Sequence, residues 1–131
     1  MKTKFSRPYQ NRLARRTAPY HQRKAVFNVH LSKELRSKYK GVRNLPVRKD
    51  DTVIILRGKY AGIQKRVTDV NFKHGKIKIE TVKTTKTDGT EIFHFIEPSN
   101  CVLVSLGKID SGRKALIERR TGSKTESDDE E

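Results

Sequence analysis

Val47-Arg-Lys-Asp-Asp-Thr-Val-Ile-Ile-Leu-Arg-Gly-Lys-Tyr-Ala-Gly-Ile-Gln-Lys-Arg-Val-Thr-Asp-Val70 reads as strand, loop, strand. Thr52 to Leu56 is β-branched and apolar, the composition of a strand. Arg57 to Gly62 is a loop bracketed by Gly58 and Gly62, residues that let a backbone turn sharply and approach a partner closely. Arg66 to Phe72 alternates, with Val67, Val70 and Phe72 apolar and a slip in phase near Thr68 and Asp69. Arg57, Lys59, Lys65 and Arg66 surround the loop with positive charge, and Arg48 and Lys49 precede it.

Downstream the same grammar repeats. His74-Gly75 is a tight turn, and Lys76 to Thr81 alternates strictly, so that strand has one wet face. Lys83 to Thr90 reads as a polar loop ending in the hairpin signal Asp88-Gly89. Glu91 to Ile96 is a further strand, Pro98-Ser99-Asn100 punctuates, and Cys101 to Leu106 closes the set. Five short strands with tight turns predict a mainly β unit over residues 47–106, a small closed or half-closed barrel. Only 33% of the 131 residues are apolar, and they concentrate between Val47 and Leu106, near the lower size limit for independent folding.

Upstream, residues 31–46 read as a short helix and linker. Ser32 is the N-cap, Glu34 sits in the first turn, and Leu31, Leu35 and Tyr39 form one stripe at a spacing of four. Gly41 stops the helix and Pro46 ends the connection. Arg36 lies off the stripe with Lys33 and Lys40, where it either touches phosphate or is solvated.

Residues 1–30 differ in kind. Residues 1–50 carry fifteen Lys or Arg against Glu34 and Asp50, which is +13 of the chain's +15. Such a segment repels itself and becomes ordered against a polyanion. Lys4, Arg7, Arg12, Arg15, Arg16, Arg23 and Lys24 alternate with Phe5, Tyr9, Tyr20 and Phe27. Cations pair with phosphates, and rings pack on sugars or unpaired bases. Pro8 and Pro19 favour extended backbone before them, so the expectation is an extended, irregular basic arm that docks on nucleic acid. A solvated tail or nuclear import signal is the plain alternative, but neither needs rings.

Residues 107–131 read as a helix from Arg113 to Arg120, capped by Asp110 or Ser111, followed by a disordered acidic tail, Glu126 to Glu131. Ser127 before the acids is read as part of a solvated terminus rather than as a phosphorylation site. There is no internal repeat.

Several classes are excluded. Cys101 is the sole cysteine, so it cannot form an intrachain disulfide, and its apolar surroundings read as a buried inert thiol. No run of about 18 apolar residues exists, so no membrane insertion is expected, and no apolar segment follows the basic start to make a secretory signal. His21, His30, His74 and His94 are scattered, so no metal is expected. Gly122-Ser-Lys-Thr125 lacks the spacing of a phosphate loop, and there is no dinucleotide fingerprint or nucleophile elbow. Asp50-Asp51 reads as a turn or salt-bridge pair rather than as catalytic acids. The expectation is a protein with no enzymatic activity, no cofactor and no small-molecule substrate.

Val47 to Val70 resembles a KOW motif, the strand–loop–strand of ribosomal proteins and transcription elongation factors. It departs from the pattern at Lys65-Arg66, where the family usually has a second Gly-Lys pair. The flanks extend the likeness in one order: Ser6-Arg7-Pro8, Asn11-Arg12, Ala18-Pro19, Leu31 to Tyr39, Leu45 to Asp51, Thr85 to Gly89, Pro98-Ser99 and Asp110 to Arg120. Together they are similar to the eukaryotic and archaeal form of the large-subunit ribosomal protein family called universal L-twenty-four, or L-twenty-six in older eukaryotic naming. The resemblance implies an SH3-like barrel, binding to large-subunit rRNA near its 5′ domain, a part in early assembly, and a place by the polypeptide exit tunnel. It implies neighbouring ribosomal proteins and factors acting at the tunnel as partners, and a cytoplasmic ribosomal location with nucleolar passage in a eukaryote. The expected RNA-binding set is Lys4, Arg7, Tyr9, Arg12, Arg15, Arg16, Tyr20, Arg23, Lys24, Arg36, Arg48, Lys49, Arg57, Gly58, Lys59, Gly62, Lys65 and Arg66. The alternatives are a KOW-containing transcription elongation or RNA-processing factor, which normally carries further domains, and a small basic chromatin protein, which needs no barrel.

Overall fold

The five expected strands all form. In the computed structural model, which describes residues 8–122, they are joined by two more. β1 is Asn28–Leu31, β2 Asn44–Pro46, β3 Thr52–Ile55, β4 Gln64–Asn71, β5 Lys76–Thr85, β6 Glu91–Ile96 and β7 Cys101–Ser105. They make one sheet in the order β2-β1-β7-β3-β4-β5-β6, antiparallel except for the parallel β1–β7 pair. The fold is mainly β and consistent with a small barrel-like domain. The phase slip read near Thr68 is a register shift between Val67 and Asp69 on β4, and such bulges bend and twist a strand.

Three expectations change. Residues 8–27 are helical, not extended: α1 spans Pro8–Thr17, α2 spans Tyr20–Arg23, and a 3-10 turn covers Lys24–Phe27. Proline restricts the residue before it but is well suited to a helix's first position, where its missing N–H is no loss. Gln10, Arg12, Leu13, Ala14, Arg15 and Arg16 are good helix formers. Ala18, placed before Pro19, then ends α1.

The basic segment also contributes to the core. Phe27 and Val29 are buried with Leu31, Leu45, Val53, Ile55, Val67, Ile77, Ile79 and Leu103. Phe27 is therefore a core ring, not a ring for RNA. β5 runs on to Thr85, leaving only Lys86 to Thr90 as the loop. A register shift between Lys78 and Lys83 lets Lys83, Thr84 and Thr85 pair again with β6. Lys4, Phe5, Arg7, Ser127 and the acidic tail lie outside the described residues.

The short helix α3 spans Lys33–Lys38, and the Ser32 hydroxyl accepts from the Leu35 N–H at 3.3 Å, as the cap predicts. Leu31 and Tyr39 are buried and Leu35 packs against the core. The last helix, α4, spans Ser111–Thr121, capped by the Asp110 side chain accepting from Arg113 N–H. Gly122 stops it in the left-handed conformation at φ 71°.

The helix α4 is held by an ion pair that no sequence period reveals. Arg113 is 1% exposed and Asp51 0%. The guanidinium meets both carboxylate oxygens, at 2.8 and 2.7 Å, and also donates to the Pro46 carbonyl at 3.2 Å. Asp51 further accepts the backbone N–H groups of Arg48 and Gly107, each at 2.8 Å. Asp50 turns the chain beside it at φ 68°. The adjacent acids are thus a turn residue and a salt-bridge partner, as expected.

Candidate nucleic-acid interface

The loop between β3 and β4 is built by its two glycines. Gly58 and Gly62 sit at φ 96° and 86°, a region that side chains with a Cβ enter only at a cost. The Gly62 N–H closes the loop on the Ile55 carbonyl at 2.7 Å, and Ala61 N–H bonds the Gly58 carbonyl at 3.2 Å. A Cβ built at either glycine would meet nothing within 4 Å, so the chain is open to solvent at these two points. Arg57 and Lys59 are exposed on it, with the Lys59 ammonium 5.9 Å from the Tyr60 ring centroid. Tyr60 also approaches Thr84 and the His94 ring, which ties the loop to the β5–β6 hairpin.

Lys65 and Arg66, where the motif departs from its family, lie within β4 opposite Val53 and Thr52. The backbone there is regular strand rather than a turn, and both cations are exposed. Arg48 and Lys49 are placed differently. Arg48 pairs with Asp110, and Lys49 pairs with Asp69 at 2.9 Å. The Lys49 ammonium bonded to Asp69 holds that carboxyl below its usual range, helped by the Val70 N–H. These two cations therefore tie surface segments together. Arg36 is exposed on α3.

On the basic segment, Arg12, Arg15, Arg16 and Lys24 are exposed, and Tyr9 projects at 70% exposure. Arg23 is turned inward. Its guanidinium donates to the carbonyls of Ala18 at 3.0 Å and Arg16 at 3.1 Å, satisfying acceptors that α1 leaves open at its end. Tyr20 rests on Phe72, centroids 4.8 Å apart, and Phe72 on Phe27 at 4.7 Å. This file of rings fixes the helical segment to the sheet.

Between that segment and the sheet lies a cleft of about 660 Å³. Arg15, Arg16 and Arg23 line one side, and Lys73 and His74, in the turn between β4 and β5, line the other. Lys73 and His74 stand outside the set expected from sequence. Their only sequence signal is a cation beside the His74-Gly75 turn, and it is the fold that brings them opposite α1. Among the described residues no cluster of His, Cys, Asp or Glu could hold a metal ion, and no helix is long and apolar enough to cross a membrane. The Cys101 thiol is buried, and loss of solvation pushes its pKa up to about 11.

Residues 6–120 match the model of a ribosomal protein family, described as L26 in eukaryotes and L24 in archaea. The chain is 37% identical over 113 residues to the large ribosomal subunit protein uL24 of Pyrobaculum islandicum, covering 86% of this chain and 91% of that one. It is 38% identical over 120 residues to the protein of the same name from Korarchaeum cryptofilum, covering 92% and 91%.

Proposed function

Because the chain belongs to the ribosomal protein family of eukaryotic L26 and archaeal L24, and so is a structural constituent of the large ribosomal subunit, we propose that it acts by binding rRNA through two joined surfaces. One is the helical basic segment with Arg12, Arg15, Arg16, Lys24 and Tyr9. The other is the glycine loop with Arg57, Gly58, Lys59 and Gly62, extended by Lys65 and Arg66. The observation that supports this most is that Arg57, Lys59, Lys65 and Arg66 are all exposed, on and beside a loop turned by Gly58 and Gly62.

Neutralising closely spaced phosphates releases counterions, so binding weakens steeply as salt rises. The role is structural rather than catalytic: the protein holds folded RNA segments together during subunit assembly. By its likeness to the family it lies near the polypeptide exit tunnel, beside other ribosomal proteins and within reach of factors acting there. Its working location is the cytoplasmic ribosome, with nucleolar passage in a eukaryote.

Sucrose-gradient fractionation tests the proposal. Co-sedimentation with the large subunit that resists moderate salt supports it. Release to the top fractions, or recovery with a polymerase, would favour a transcription factor and sink it.

A further inference from the structure

We propose that the cleft between α1 and the β4–β5 turn holds a single RNA strand about one nucleotide deep, a contact separate from the glycine loop. The inference rests on the rRNA-binding reading above and adds a place and a binding mode to it.

Charge points to a polyanion. Arg15, Arg16, Arg23 and Lys73 line the cleft against one carboxylate, Glu97, with the His74 ring beside them. Val26, Phe72 and Pro98 add apolar surface to the lining. Cations beside apolar surface suit a nucleotide, the phosphate meeting the one and the ribose and base the other. The volume, about 660 Å³, falls within the roughly 300–1,000 Å³ of pockets that hold small organic molecules. That admits an unpaired nucleotide and excludes a duplex.

Both walls are preformed. The Asn71 side chain accepts the N–H groups of Lys73 at 3.1 Å and His74 at 3.3 Å. The Gly75 N–H bonds the Asn71 carbonyl at 2.9 Å. Gly75 is at φ 67°, and a Cβ there would meet Val26 Cγ1 at 3.0 Å. Opposite, Arg23 pins the end of α1. Little ordering is left for the ligand to impose, which favours binding. The cleft also adjoins the base of the glycine loop: Pro98 and Ser99 line it, and the next residue, Asn100, accepts the Leu56 N–H at 2.8 Å.

Directed hydroxyl-radical cleavage tests this, with iron–EDTA tethered to the full chain at Ser99→Cys or, separately, at Ala61→Cys in the loop. Cys101 is buried and stays unlabelled. The probe is transcribed large-subunit rRNA. The expected result from position 99 is cutting in one short unpaired segment, reduced about tenfold by Lys73→Glu while cuts from position 61 persist. Arg15→Glu, on the opposite wall, should reduce the same cuts, which guards against a turn that merely misfolds. Cuts from position 61 with none from 99 would overturn the cleft and leave rRNA binding intact. Cuts from neither would remove both. Cuts from 99 only after residues 123–131 are deleted would assign the cleft to the chain's own acidic terminus and overturn an RNA strand there.

Discussion

Arg113 closes on Asp51 with two nitrogens 2.8 and 2.7 Å from its two oxygens, and neither side chain is exposed to solvent. The pair joins α4 to the start of β3 and gathers the Pro46 carbonyl and the Arg48 and Gly107 N–H groups around it. Removing one partner leaves the other buried and charged. Arg113→Met is therefore expected to destabilise by about 3–5 kcal/mol, read as a lower urea midpoint. Asp51→Leu with Arg113→Met should recover only part of that, because two backbone N–H groups lose their acceptor, each at about 1–3 kcal/mol. Full recovery would mean that the surrounding bonds contribute little.

Gly107 and Gly112 make a contrasting pair. A Cβ at Gly107 would meet the Asp50 carbonyl carbon and oxygen at 2.9 Å, whereas at Gly112 its nearest neighbour is Asp110 Oδ2 at 3.6 Å. Gly107→Ala must move backbone, so a clear loss in thermal midpoint is expected. Gly112→Ala lies in α4 and should gain about 0.4–1 kcal/mol by restricting the unfolded chain. Equal effects from the two would contradict the packing described.

The loop cations should matter for RNA and not for folding. Arg57→Ala with Lys59→Ala is expected to leave the melting temperature within error. In filter binding to large-subunit rRNA, affinity should fall, and the slope of log affinity against log salt should drop by about one for each phosphate no longer neutralised. An unchanged slope would remove the loop from the interface.

Tyr20 tests how the helical segment is fastened. Its ring is 61% exposed yet rests on Phe72. Such ring pairs contribute about 0.5–1.5 kcal/mol beyond area burial. Tyr20→Ala should speed trypsin cleavage between Arg12 and Lys24 several-fold while the near-ultraviolet signal of the sheet core is retained. Cleavage at the wild-type rate would show that the segment is held by other contacts.

Cys101 offers a test by chemistry. With the thiol pKa pushed up to about 11 by burial, almost no thiolate exists at pH 8, and the thiolate is the nucleophile. Iodoacetamide at pH 8 should leave the native protein unlabelled over a time that fully labels it in guanidinium. Only as pH rises toward 11 should native labelling quicken. Prompt native labelling at pH 8 would contradict a sealed core there.

Much of the fold is legible in the sequence because it rests on local rules. The alternation in Lys76 to Thr81, the glycine brackets at 58 and 62, the Ser32 cap and the phase slip at Thr68 each express a preference within a few residues, and each appears in the structure. The helicity of residues 8–27 is hidden for a local reason as well: the effect of proline on the preceding residue masks its fitness to begin a helix. The burial of Phe27 is not legible, because a ring among cations looks like an RNA contact until β1 is found beside β7. Lys73 and His74 carry no periodic signal, and it is tertiary packing, including Tyr20 and Phe27 on Phe72, that brings the helical segment across from them.

The sequence by itself determined the five strands from Thr52 onward, the loop at Gly58–Gly62, the caps of α3 and α4, and the polyanionic partner implied by +13 in residues 1–50. These depend on near-neighbour geometry and on summed charge, which no fold rearranges. Tertiary structure alone decided what each polar side chain meets. Arg113 was committed to Asp51, 62 positions away, Arg23 to the end of α1, and Arg48 and Lys49 to surface acids, while Arg15, Arg16, Lys73 and His74 were drawn around one cleft. An arginine's charge is written in the chain, but whether a carboxylate, a carbonyl or open solvent meets it depends on which distant segments pack together.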